Sequence, residues 1–225
     1  DASVGVDLTV QNNAVIEAGG HINVDEKGYG PEQGPGAGVS SVYVASGGAY
    51  GGYGGHDNRH TEGGTPYGSI INPSQLGSGG GRDDSGSGGG YIHLAVGREL
   101  TVDGEISARG QEGNGSGSGG GILIEAGTIS GGGTMSVAGA NAGNSNCGGG
   151  GGGRLAVYID NDSFTGTRIA CGGDGYQNGG AGTVYTKINS QTYGQLVVDN
   201  CSLPGAVTPV EPDAVTPAPA AAQPN

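Results

Sequence analysis

The sequence predicts an all-β protein: a short, β-helix-like parallel β-solenoid whose long glycine-rich links are able to pack as polyglycine II-type helices. Three observations predict it. Glycine runs give way to β-rich apolar segments at a regular spacing, helical periodicity is missing, and the links are too long for hairpins.

The glycine content is the first constraint. Of 225 residues, 55 are glycine, roughly a quarter of the chain against a usual share of about 7%. Tryptophan is absent and Phe164 is the only phenylalanine, so a conventional compact core is hard to assemble. Only 13% of residues are charged, which argues against a disordered, highly charged chain. Repeated units that each bury a thin layer against their neighbours remain.

The repeat lies among the glycines. GGGYIHLAV (88–96), GGGILIEAG (119–127), GGGRLAVYI (151–159) and GAGTVYTKI (180–188) each switch abruptly from glycine to strand-forming residues, roughly 30 residues apart. A second strand follows each, in 99–110, 128–139, 163–173 and 192–201, and residues 7–24 resemble another. Stacked in parallel, Ile92, Ile122, Leu155 and Val184 form one apolar row, and Ile106, Met135, Ile169 and Leu196 a second. An antiparallel sandwich is the rival, but its links run two to five residues, and links here run to about ten or more. The links 110–121, 139–153 and 172–182 correspond to one another. As extended three-residue-per-turn helices they can pack backbone to backbone, because no Cβ intervenes. As flexible loops they are an entropic burden.

The domain reading is a glycine-rich domain over 1–201, with a long Gly/Tyr-rich insertion at 28–90, and a Pro/Ala-rich tail over 202–225. Tyr50, Tyr53 and Tyr67 of the insertion read as packing on glycine backbone or as an adhesive surface for glycans or another subunit. The tail reads as a linker or as a strap laid on a neighbouring subunit. The chain opens at Asp1 without a signal-peptide pattern, as expected of a processed chain or a piece of a longer one.

Charge and cysteine narrow the function. A net charge of −13, with lysine only at Lys27 and Lys187, excludes nucleic acid as a natural partner. No apolar run of about 18 residues is present to span a membrane. Three cysteines point to an oxidising, extracellular setting. Cys171 and Cys201 lie about one repeat apart, each ending a second strand, and are the candidate disulfide; Cys147 is then free or bridges subunits. Asn161 and Asn200 open N-glycosylation sequons, and Thr208 and Thr216, each before a proline, are candidate O-glycan sites.

The search for chemistry finds little. Glycines at 148, 150 and 153 precede a strand instead of a helix, so they make no dinucleotide site. His56 and His60 have a zinc-like spacing, but flanking glycines oppose the helix that would align them, and they read as a polar loop. Calcium is the one cofactor considered, through Asp83 and Asp84 or Asp160 and Asp162, although neither an EF-hand nor a repeat-in-toxin pattern is complete. Glu99, Asp103, Glu105 and Glu125 are carboxylates from which a glycosidase pair would be drawn, but basic residues that would hold a sugar are sparse.

Gly28 to Gly38, Tyr67 to Ser69, Leu76 to Gly81, Gly88 to Ile92 and Leu100 to Gly110 carry a resemblance. Over about residues 8–190 the chain resembles the glycine-rich β-helical modules of very large secreted or cell-surface proteins. The resemblance implies a structural or adhesive extracellular role and brings no catalytic residues. The expected function is therefore a non-enzymatic, extracellular, self-assembling subunit of a fibre or surface layer, its partners being copies of itself. The alternative is an adhesin module binding glycans through the insertion. A polysaccharide-active β-helix enzyme comes third.

Overall fold

The computed structural model describes residues 5–210. Eleven strands form, and no helix is present among the described residues. They are β1 (Gly5–Val10), β2 (Ala14–Ile16), β3 (His21–Asn23), β4 (Tyr91–Val102), β5 (Glu105–Ser107), β6 (Gly121–Gly131), β7 (Thr134–Ser136), β8 (Arg154–Phe164), β9 (Thr167–Ile169), β10 (Thr183–Ile188) and β11 (Gln195–Val197).

A seven-stranded sheet runs β1-β4-β6-β8-β10-β11, with β2 beside the second half of β4; a four-stranded sheet runs β3-β5-β7-β9. The smaller sheet is parallel throughout. The larger is parallel until its last strand, where β11 turns back antiparallel on β10. The expected parallel β-solenoid is therefore not what forms. Both sheets are open, the larger is mixed, and among the described residues no closed coil is completed. The physical reason lies in the links and the end. A glycine segment has no side chain to pack on a pleat, so the long links contribute no strands. After β10 the chain reverses through Asn189–Gly194, too short a path for a parallel crossover.

The first apolar row stands in register as Ile92, Ile122, Leu155 and Val184. The second differs. Met135 is opposite Ile106, but its partner on β9 is Arg168, one residue before Ile169, and Leu196 joins the larger sheet opposite Tyr185. Arg168 turns aside to Asp162 at 3.0 Å and lies over the Phe164 ring, so the row ends there. The core lies between the two sheets: Ile92, Leu100, Ile106, Ile122, Ile124, Ile129, Met135, Leu155 and Ile159 are all fully buried in it.

The glycine links form a layer of their own. In the run 148–153, the amides of Gly148 and Gly151 donate to Ala45 and Gly48. Those of Gly149 and Gly152 donate to Gln177 and Gly180, and those of Gly150 and Gly153 to Ala140 and Val137. Every third amide thus points at the same neighbour, the three-residue repeat of an extended glycine helix. The link 116–120 repeats the pattern, with Ser116 and Gly119 donating to Gly148 and Gly151, and Gly117 and Gly120 to Gln111 and Ala108. The insertion is woven into this layer: Gly47 donates to Gly55, Gly55 to Gly149, and Gly77 to Gly89.

Another part of the insertion lies on the outer face of the larger sheet beside β8. The Arg154 Nε–H donates to the Tyr67 carbonyl at 2.9 Å, and the Tyr158 hydroxyl donates to Ile71 at 2.6 Å. Leu123 and Ala156, which point away from the core, are buried beside this strip.

Candidate functional site

The sequence-predicted residues scatter, and most serve the fold. Cys171 and Cys201 are joined as a disulfide, with their Cα atoms 5.8 Å apart. The bridge holds the start of the tail on the glycine layer. There the Ala206 amide donates to Asn178, and the Tyr53 amide to Val207. The Thr208 hydroxyl donates to Ala181. The strap therefore lies on its own chain as far as Thr208.

Cys147 is a free thiol and wholly buried. Burial pushes its pKa up, against the opposing effect of a backbone hydrogen bond with Ala45. Tyr50 is fully buried, its ring centroid 4.9 Å from that of Tyr67. The Tyr67 hydroxyl donates to the Leu76 carbonyl and meets the Ser78 hydroxyl at 2.8 Å. These two tyrosines pack against the chain, Tyr50 wholly and Tyr67 in part, and Gly68 and Gly36, without side chains, make room for their rings. Tyr53 and Tyr67 are both only partly buried, and Tyr53 lines a cleft.

The glycosylation candidates divide. Asn161 is exposed on β8. Asn200 is not available: its side-chain carbonyl accepts from Gly172, and its amide donates to Gly179 and Leu203. The Thr208 hydroxyl is engaged as described, and Thr216 lies outside the described residues.

The carboxylates are partnered. Asp84 takes Arg82 at 3.0 Å and Asn114 at 2.6 Å, Asp162 takes Arg168, and Asp160 takes Asn189 at 2.9 Å. Asp83 is exposed beside Asp84. Among the described residues, no three of His, Cys, Asp or Glu come together as a metal-binding group. Glu99 accepts from Ser130, Asp103 from the Gly132 amide, and Glu105 pairs with Arg109 and His21. His93 meets Asp7 at 3.0 Å through Nδ1 and Glu125 at 3.1 Å through Nε2, tying three strands of the outer face.

One grouping remains. Tyr53, His56, Glu62, Gln177 and Val207 line a cleft of about 420 Å³ between the insertion, the last glycine link and the tail strap. At its rim the rings of His56 and His60 have centroids 4.9 Å apart, and Tyr176 lies 5.8 Å from the first and 6.2 Å from the second. Asp57 organises this loop. Its Oδ1 accepts from the Arg59 amide at 2.8 Å and the Thr61 amide at 3.0 Å. The H-x-x-x-H spacing is the only signal for it in the sequence, and it brings the two rings together here without a helix.

No protein-family model, curated protein or solved structure matches the chain. No helix among the described residues is long and apolar enough to cross a membrane.

Proposed function

We propose that this chain is an extracellular structural protein that assembles with copies of itself edge to edge. The supporting observation is the state of the larger sheet's two ends. Among the described residues, β1 pairs only with β4 and β11 only with β10. Each end therefore carries a row of backbone groups open to another strand, the usual template for intermolecular pairing. Both ends also bear exposed apolar side chains: Leu8 and Val15 at one, Val197 and Val198 at the other. A contact between unlike ends does not close on itself, and so yields a filament. The disulfide is in keeping with a setting outside the cell, as is the resemblance to glycine-rich surface modules. The interlocked glycine layer gives such a subunit rigidity without a large core.

Electron microscopy of the purified chain over a range of concentrations tests the reading. Filaments or sheets are expected, and Leu8→Lys with Val15→Lys should abolish them by placing charge on the edge. Monodisperse particles at every concentration, with and without calcium, would sink the proposal. A second reading, an adhesin module, is favoured by the cleft beside Tyr53 and Glu62, where an aromatic face and polar groups converge. A glycan array with Tyr53→Ala as control tests it.

A further inference from the structure

We infer that His56 and His60 form a two-imidazole site for a divalent transition-metal ion, held in place by Asp57. The inference does not depend on assembly or on glycan binding.

Three features carry it. First, the tautomer of His56 is set. Its Nδ1 lies 2.9 Å from the Asp57 carbonyl, which only accepts, so Nδ1 carries the proton and Nε2 keeps its lone pair. A ring N–H given to a carbonyl is the arrangement that orients metal-ligating imidazoles. Second, the loop is held at a cost. His60 takes a left-handed backbone, φ 59°, and its amide donates to the Asp57 carbonyl at 3.0 Å. A non-glycine residue there is uncommon and is a reason to look for function. Third, Asp57 is wholly buried, and its Oδ2 has no hydrogen-bond partner. An orphaned buried carboxylate oxygen is costly. It is kept in the loop whose remaining bonds place the two imidazoles ring against ring at the surface.

Imidazole pairs suit zinc, copper and nickel, and not calcium or magnesium, which take oxygen ligands. With two protein nitrogens, the remaining coordination positions fall to water. The acidity of the whole chain attracts any cation, so selectivity is what separates an imidazole site from diffuse attraction.

The experiment is calorimetric titration of the full chain with Zn²⁺ in an excess of Ca²⁺. One saturable site per chain is expected, with tighter binding of Cu²⁺ following the usual order of divalent affinities. His60→Asn is the sharp variant, because asparagine tolerates the left-handed backbone while removing the imidazole. It should weaken Zn²⁺ binding about tenfold or more and leave the thermal midpoint near that of the parent. His56→Ala should do the same to binding. Perturbation of the His56 and His60 ring ¹⁵N resonances by Zn²⁺ is the second readout. Zn²⁺ binding that Ca²⁺ abolishes, that neither substitution weakens, or that leaves those resonances unmoved would overturn the inference.

Discussion

A Cβ placed on Gly148 would stand 1.8 Å from the carbonyl oxygen of Gly55. That contact joins the longest glycine run to the insertion, nearly a hundred residues earlier. It shows why the position is glycine: the obstacle is backbone, which cannot swing aside as a side chain would.

Gly148→Ala should therefore destabilise the fold by about 3 kcal/mol or more, since the layers must part to admit a methyl group. Gly132 is the internal control. Its added Cβ would meet nothing nearer than Thr165 Oγ1 at 3.8 Å, and its φ lies outside the left-handed region. Gly132→Ala should be neutral, or stabilising by up to about 1 kcal/mol through the unfolded chain. Urea unfolding of the two variants makes the comparison. Equal losses would show that the layer is not close-packed.

The Cys171–Cys201 bridge closes a loop of sequence separation 30. Chain entropy assigns such a loop roughly 3–4 kcal/mol. Replacing both cysteines by alanine should lower the thermal midpoint by roughly 10 °C in a chain of this length. The amides of Gly172 and Ala206, which bond to Asn200 and Asn178, should lose hydrogen-exchange protection before the sheets do. Simultaneous loss everywhere would show that the strap is not a separate unit.

Tyr67 predicts an alkaline limit. Burial is the main cause that raises its pKa above the ordinary value of 10.0, with the Ser78 hydrogen bond opposing it. In the unfolded chain the phenol ionises near the ordinary value, while in the folded chain it resists. Stability is therefore intact below about pH 10 and falls as pH rises beyond it. Tyr67→Phe should flatten that fall, at the expense of the bonds to Leu76 and Ser78. Chemical denaturation measured at several values between pH 8 and pH 11.5 (chosen to bracket about 10) gives the slope.

Cys147 should resist iodoacetamide while the protein is folded and react at once in denaturant. Its thiol is buried, and its pKa is raised, so little thiolate meets solvent. Mass spectrometry of native and unfolded samples reads the difference. Rapid alkylation of the native protein would show that the glycine layer opens around residue 147.

The sequence by itself placed the strand-forming segments, though it divided β4, β6 and β8 too early, aligned Ile92, Ile122, Leu155 and Val184, and offered Cys171 and Cys201 as the pair. Those properties are written in side-chain alternation and in spacing, both of which are local. It did not reveal the antiparallel return of β11, the slip that puts Arg168 opposite Met135 or the burial of Cys147, and it left open whether Tyr50 and Tyr67 pack on glycine backbone. Nor did it show that His56 and His60 would meet without a helix. The β11 return turns on the short 189–194 link and the end of the second row on the Arg168–Asp162 pair, whereas the burial of Tyr50 and Cys147 depends on which glycine segment lies beside which. A run without side chains carries no pattern to specify its neighbour, so only the closure of the whole layer, amide by amide, decided them.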